Sequence, residues 1–230
     1  MMRLLELFCG TKSVGKVAKD LGYEVISLDL KDADINCNIL DWDYKIYPPE
    51  HFHVIWASPP CETFSFLRRS NIGRYGITEE SLQHDIDTIG LPILRRTEEI
   101  IEYFKPAYYF IENPQGGRMK EYLSGPFYDV DYCKYADWGY RKRTRIWTNL
   151  EGFRPKLCKM DCNNMLGTKH RLNIGYNDFV RDGDKIVMLA SKDLRDKYRG
   201  CERIQELNHR VPLKQRYRIP PRLINELLSL

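Results

Sequence analysis

The chain has 230 residues, of which 43% are hydrophobic and 30% are charged, as expected for a globular protein with a full core. It has no apolar run long enough to span a bilayer and no signal-peptide pattern at its start. Together with seven scattered cysteines, this argues against a membrane protein or a disulfide-rich secreted protein and favours an intracellular one, in the cytoplasm or nucleus. Residues 1–60 carry 6 basic and 9 acidic side chains, whereas 195–222 carry 9 basic and 3 acidic ones, which indicates a catalytic part joined to a surface that faces a polyanion.

The first 150 residues alternate between strand and helix patterns. Strands are predicted at 4–8 and 24–30, with a helix at 13–21 between them that begins at Ser13 and stops at Gly22. Further strands are predicted at 53–57, 108–111, 129–135 and 145–148, and a long helical stretch at 78–104 is interrupted near Gly90 and Pro92. This order predicts an α/β fold with a doubly wound, mostly parallel sheet that binds ligands at the carboxyl ends of its strands.

The pattern weakens after residue 150, and this suggests three parts. Residues 1–150 form an α/β domain, and 151–210 form a small irregular lobe or long loops. In the last part, 211–230, Pro220 and Pro221 open a helix at 222–228 with one apolar face, which predicts a segment that packs back on the catalytic domain.

Two predicted strand ends suggest a nucleoside-binding site. A glycine turn at Gly10 joins the first strand to a helix start, where free N–H groups can bind an anion. Asp29, at the end of the second strand, can bind ribose hydroxyls. Lys12 occupies the second glycine position of the dinucleotide fingerprint, so a ligand with a single carboxylate is favoured over a pyrophosphate. An ordinary strand-turn-helix without a ligand is the alternative.

A cysteine follows another strand end directly. Pro59 and Pro60 stiffen the turn before Cys61, which suits a thiolate nucleophile on a rigid loop. The alternative is a buried structural cysteine after a double-proline turn.

Two more segments carry charged groups at or near strand ends. Glu112 follows an apolar strand and can bind a base or act as an acid, although a plain surface acid would look the same. Arg143 and Arg145 alternate on an extended segment and therefore share one face. Neighbouring aromatic residues favour nucleic-acid contact over a merely solvated basic patch.

In chain order these segments resemble a DNA cytosine-5 methyltransferase of the small viral or phage type. The matching motifs are Leu7-Phe8-Cys9-Gly10 for the cofactor loop, Pro60-Cys61 for the catalytic loop, Glu112-Asn113 for base binding and Arg143-Thr144-Arg145 for the R-x-R motif. The resemblance covers about 3–150 and 217–227. It departs from the family at Lys12, where a glycine is usual, at Asn38-Ile39, where Asp-Ile is usual, and before Arg143, where a Pro-Gln pair is missing.

The resemblance implies S-adenosylmethionine as cofactor, double-stranded DNA as partner and no obligate protein partner. It also implies that 1–150 are the catalytic and cofactor-binding domain and that 151–210 are a small target-recognition lobe. Cys61 would add to cytosine C6, Glu112 would act at N3, and Arg145 with Arg143 would bind near O2. The implied cofactor contacts are Phe8, Cys9, Gly10, Thr11, Asp29, Leu30, Asn38, Ile39 and Pro59. The implied DNA contacts are Ser65, Arg68, Arg69, Arg141 and Lys142.

Other functions remain open at this stage. An amino-methyltransferase acting on adenine N6 or cytosine N4 would have an aromatic residue in place of Cys61. A catalytically silent DNA-binding protein on the same scaffold is the second alternative. In the lobe, Cys158, Cys162 and His170, with Cys201 or His209, have spacings that permit zinc binding, but no second paired motif follows, so free thiols and no metal are expected.

Overall fold

The computed structural model describes residues 1–73, 75–172, 179–189, 192–204 and 211–229, which fall into two compact units. The first, here called the sheet unit, comprises Met1–Val130, Arg143–Pro155 and Ile219–Leu230. The second, here called the small unit, comprises Asp131–Lys142 and Lys156–Arg218. Within the described ranges, no helix is both long enough and apolar enough to cross a membrane.

The sheet unit is built on seven strands, β1 Arg3–Leu7, β2 Glu24–Asp29, β3 Ile35–Asn36, β4 Val54–Ala57, β5 Tyr108–Pro114, β6 Phe127–Asp131 and β7 Arg143–Thr148. Their order in the sheet is β3-β2-β1-β4-β5-β7-β6. Strands β1 to β5 are parallel to their neighbours, and β7 runs antiparallel to β5, so the prediction of a doubly wound, mostly parallel sheet is confirmed. Leu7, Ala57 and Ile111 are level in the ladder, and β1 and β4 end at this level, whereas β5 continues to Pro114 alongside β7.

The helices of this unit include one that begins at a capping box. Helix α1 spans Ser13–Asp20, and α2 spans Phe66–Arg69. Helix α3, Glu79–Asp85, begins at a capping box made by Thr78. It continues through a π-helical turn, Ile86–Gly90, into α4, Leu91–Phe104, so the interruption predicted near Gly90 is a widened turn rather than a break. Short 3₁₀ turns lie at Tyr44–Ile46 and Arg118–Glu121, and the last helix, α7, spans Pro221–Leu228.

Alternation along the strands gives the sheet two different faces. Leu5, Leu7, Ile55 and Ile111 belong to the main hydrophobic cluster, together with the α4 side chains Leu94, Ile100 and Phe104. Glu6, Trp56, Phe110 and Glu112 alternate with them and point to the other face, where the Trp56 and Phe110 rings stack with centroids 5.0 Å apart. Tyr23 donates a hydrogen bond to the carbonyl of Leu228, which ties α7 to the start of β2.

The small unit has little regular structure among its described residues. Short hairpins pair β8, Met165–Leu166, with β9, Lys169–His170, and β10, Phe179–Asp182, with β11, Lys185–Met188. Helices α5, Lys192–Lys197, and α6, Leu213–Arg216, follow.

This unit includes residues 131–142, which the sequence placed in the first domain. The strand predicted at 129–135 ends at Asp131 and becomes a 3₁₀ turn at Tyr132–Lys134. The reason is visible at Asn164, whose buried side chain binds the carbonyls of Cys133 and Ala136 and the N–H of Gly139.

Candidate active site

The residues predicted to bind a nucleoside lie where β1 and β2 end. Asp29 accepts the N–H of Gly10 at 2.8 Å and that of Leu30 at 2.7 Å, so the two strand ends are joined directly. Phe8, Gly10 and Lys12 all have positive φ, which makes the turn tight. Lys12, at φ 56°, adopts the left-handed conformation that a glycine would adopt without a Cβ clash, and this explains why a glycine is usual at this position.

Glu6 is a functional candidate that the sequence analysis missed. Its buried carboxylate accepts the N–H groups of Gly15 at 2.9 Å and Val14 at 3.3 Å, at the start of α1. Burial raises the pKa of Glu6 to about 7, although these N–H groups oppose the rise. Two of the N–H groups that were expected to bind a cofactor carboxylate are therefore occupied by Glu6. The available signal was an acid between apolar neighbours in a buried strand.

The other predicted cofactor residues differ in their exposure. Leu30 is 71% exposed beside Asp29, so an apolar surface adjoins the acid, and this fits a base and its ribose. Burial, followed by the negative charges of Glu6 and Asp29, raises the pKa of Cys9 to about 11, which keeps this thiol neutral. The hydroxyl of Thr11 forms a hydrogen bond with that of Ser13. Asn38 is exposed, and its side-chain oxygen accepts the N–H of Leu40. Ile39 and Pro59 are both buried.

Residues 58–65, here called the Cys61 loop, are attached at their start to the sheet and at their end to the 3₁₀ turn Arg118–Glu121. Ser58 donates its N–H to Leu7, and its hydroxyl accepts the indole N–H of Trp56. The side chain of Asn113 donates to the carbonyl of Pro59 at 2.9 Å, and the N–H of Arg118 donates to that of Phe64 at 2.8 Å. The partly buried thiol of Cys61, which is in no disulfide, is thereby positioned before any substrate binds.

Glu112 lies on the strand to which this loop is bonded. It is 5% exposed near the end of β5, and its neighbour Asn113 is the residue that holds Pro59. Strand β5 pairs with β4, which leads into the Cys61 loop. Asn113 was quoted only as part of a motif, because its partner lies 54 positions away in sequence.

Gly90 packs directly against the Cys61 loop. A Cβ atom on Gly90 would lie 2.5 Å from the Thr63 hydroxyl and 2.9 Å from the buried ring of Phe64. We expect Gly90→Ala to displace this loop and to lower the rate of any reaction that uses Cys61 by roughly 10- to 100-fold, because a shift of about 1 Å at a reacting group has that effect. Steady-state kinetics measure this change.

Ile89→Ala is the matched control for Gly90→Ala. Ile89 is in the same π-helical turn but 51% exposed, so its truncation should leave the rate unchanged. A Gly90→Ala enzyme as fast as the wild type would show that the loop tolerates the extra methyl group.

The two arginines of the R-x-R pair lie on β7 in different surroundings. Arg145 binds Asp129 through two hydrogen bonds, at 2.8 and 2.9 Å, and lies 3.6 Å from the centroid of the Phe127 ring. In the β5–β7 ladder, Arg145 is opposite Asn113, whereas Glu112 is opposite Ile146. Opposed residues share a face, so Arg145 and Glu112 point to opposite faces of the sheet. Arg145 thus anchors β7 to β6, and Arg143 stands at the start of β7, next to the end of β5.

The side chains predicted to bind DNA already have partners. Arg68 pairs with Asp85, Arg69 with Glu79, and, in the small unit, Arg141 with the buried Asp131. Lys142 donates to the carbonyl of Arg216 and lies over the Tyr132 ring, and the N–H of Ser65 donates to Glu62. Of the basic segment 195–222, residues 205–210 lie outside the described residues.

Similarity to a known protein extends over the whole chain. No family model matches. The chain is 46% identical over 234 residues to a protein of Frog virus 3 (isolate Goorha) that is named a probable DNA (cytosine-5)-methyltransferase, and the match covers all of both chains.

The chain is also similar to solved structures, among them two methyltransferases. The Entamoeba histolytica methyltransferase EhMeth has a TM-score of 0.49 and 15% identity, over 69% of this chain and 56% of that one. The S. pombe Dnmt2 methyltransferase has a TM-score of 0.43 and 16% identity, over 67% and 53%. The chain thus spans little more than half the length of these two proteins.

Proposed function

Because this chain belongs to the DNA (cytosine-5)-methyltransferase family, we propose that it transfers a methyl group from S-adenosylmethionine to C5 of cytosine in DNA. The arrangement that carries the proposal is the Cys61 loop, attached through Asn113 to the strand that bears Glu112. A nucleophile and an acid on adjacent strand ends are what carbon methylation of a pyrimidine requires.

The chemistry assigned to the protein starts at Cys61. Cytosine C5 is a poor nucleophile until a thiolate adds to C6, which breaks the aromatic system and makes C5 electron-rich. Glu112 supplies a proton at N3 as this bond forms, so that negative charge does not accumulate on the ring. After methyl transfer, water takes the C5 proton, the thiolate leaves C6, and the N3 proton returns to the Glu112 carboxylate, which restores both the ring and the enzyme. The target base must leave the duplex to reach these groups.

We assign the positive charge near O2 to Arg143 rather than to Arg145. Arg143 borders the end of β5, where its carbonyl accepts the N–H of Gln115. Arg145 is bound by Asp129 through two hydrogen bonds and acts through the position of β7. A bidentate pair of this kind is strong enough to orient the strand that carries Arg143.

The residues at the ends of β1 and β2 fit S-adenosylmethionine. Asp29 would hold the ribose hydroxyls and Leu30 would contact the adenine, while the turn at 8–12 lets the ligand approach the backbone. Glu6 holds the start of α1 in place next to this turn. When bound, the cofactor supplies an electrophilic methyl group.

The two alternatives receive less support. An amino-methyltransferase needs no cysteine nucleophile, whereas here the protein attaches the Cys61 loop at both ends. A silent DNA-binding protein would not need a buried acid beside that loop, and Glu112 is 5% exposed. We further propose that the enzyme works inside cells and that its DNA contacts come from the paired cations, which exchange their carboxylate partners for phosphates.

The experiment that tests the function is bisulfite sequencing of DNA from a bacterial host that has no cytosine methylation of its own. Expression of the chain should protect cytosines in one recurring sequence context, and expression of the Cys61→Ser variant should protect none. Equal conversion of all cytosines in both cultures, with folded protein present, would reject the proposal. Methylated adenine or N4-methylcytosine in that DNA would point to an amino-methyltransferase.

A further inference from the structure

Three cysteines and one histidine meet in the small unit, apart from the residues used above. Cys158 Sγ lies 3.6 Å from His170 Nε2, and Cys162 Sγ lies 3.2 Å from the same atom. Cys133 completes the group, and one ligand atom from each of the four residues lies within 4.8 Å of the other three. Cys133 and Cys158 are 4% and 5% exposed, so the group is largely shielded from water.

The separation of 3.6 Å is that of two ligand atoms in a tetrahedral metal site, and the other separations, from 3.2 Å up to 4.8 Å, lie on either side of it. Zn–S bonds of about 2.3 Å and Zn–N bonds of about 2.0–2.1 Å put tetrahedral ligand atoms roughly 3.5–3.8 Å apart. A disulfide between two of the cysteines would leave one buried thiol and the imidazole without a shared role. Three thiolates and one imidazole form a soft donor set that suits zinc rather than magnesium or calcium.

Each ligand comes from a local structure that presents it. Cys158 and Cys162 flank a tight turn in which Met160 has φ 64° and the N–H groups of Met160 and Asp161 donate to the Cys158 sulfur. His170 lies on the hairpin of β8 and β9, opposite Met165. Cys133 lies in the 3₁₀ turn at Tyr132–Lys134.

Buried polar side chains join these structures around the four ligands. Asp131, fully buried, accepts the N–H of Cys158 at 2.8 Å and the guanidinium of Arg141 at 2.9 Å. Asn164 binds the carbonyl of Cys133, and Lys134 pairs with Asp161 in the cysteine turn. Ligands supported in this way by outer hydrogen bonds are typical of metal sites. The cations also offset the excess negative charge that three thiolates leave around a divalent ion.

We infer that Cys133, Cys158, Cys162 and His170 bind one Zn²⁺ ion that stabilises the small unit. Four protein ligands close the coordination sphere, so the ion is structural and takes no part in methyl transfer. The sequence suggested zinc only weakly, because Cys133 lies 25 positions before Cys158 and belongs to no paired motif. Cys201, which the sequence offered as a ligand, is exposed and is not in the group, and His209 lies outside the described residues.

The first experiment measures metal in the wild-type chain. Protein purified without added metal should contain about one zinc ion, by elemental analysis. Three thiols should react with a thiol reagent only after a strong chelator has removed the ion. Replacement by Co²⁺ should give the absorption bands of a tetrahedral thiolate site. Folded protein without zinc that also fails to bind Co²⁺ in reducing buffer would overturn the inference, as would a disulfide within the group found by mass spectrometry.

The second experiment assigns the ligands. Cys162→Ser and His170→Ala should lose most of the zinc and unfold at a lower temperature. His170→Cys should keep the ion, because a thiolate replaces the imidazole as the fourth ligand. Cys201→Ser is the matched control and should keep both zinc and stability. Full zinc retention in Cys162→Ser and His170→Ala would place the metal elsewhere. If these variants do not fold, the thiol-protection and Co²⁺ measurements on the wild type still decide the question.

Discussion

Replacing Cys61 by serine is expected to abolish methyl transfer while leaving cofactor binding intact. Serine is nearly isosteric, so the Cys61 loop should keep its hydrogen bonds to Asn113 and Arg118. The hydroxyl is far less acidic than a thiol, and no anion is available to add to cytosine C6 near neutral pH. The measurement is methyl incorporation into DNA that contains the target sequence found by bisulfite sequencing, together with calorimetric titration of S-adenosylmethionine.

Trapping gives an independent measure of the role of Cys61. The same target DNA with 5-fluorocytosine should form a stable adduct, because fluorine cannot leave C5 as a proton does, and peptide mapping should find it on Cys61. Cys201→Ser, at an exposed cysteine, should methylate and trap like the wild type. A Cys61→Ser enzyme with normal turnover, or an adduct on another cysteine, would show that the assigned nucleophile is wrong.

Replacing Glu112 by glutamine is expected to slow methyl transfer by about 10²–10⁴-fold, the usual contribution of a positioned acid or base. The amide has the same shape and can still bind a base, but it cannot give a proton to N3. The KM for DNA should therefore change less than kcat. A second readout is the exchange of tritium from cytosine C5 without cofactor, which requires addition at C6 and should fall in parallel.

The matched control for Glu112→Gln is Glu98→Gln. Glu98 is partly exposed on α4, where it pairs with Arg95, and it is not among the residues assigned to the site. Its replacement should leave both kcat and tritium exchange unchanged. If Glu112→Gln exchanged tritium at the wild-type rate but methylated slowly, proton transfer at N3 would not be the function of Glu112.

The local sequence was sufficient to predict the order of strands and helices and the four positions at strand ends, Gly10, Asp29, Cys61 and Glu112. Strand periodicity, glycine and proline signals and helix caps act over a few residues, and parallel strands then bring their carboxyl ends to one edge. The sheet edge follows from this order, and the ladder places Leu7, Ala57 and Ile111 level with each other. The match of four motifs in one order also pointed to the family.

Tertiary structure alone decided which of these groups touch one another. The bond from Asn113 to Pro59, the packing of Gly90 on Phe64 and the pairing of Arg145 with Asp129 join distant segments, and no local pattern encodes them. The same holds for Cys133, which only folding brings to Cys158, Cys162 and His170. Side-chain partners depend on strand register and on long-range packing, and a single sequence contains these only through the fold as a whole.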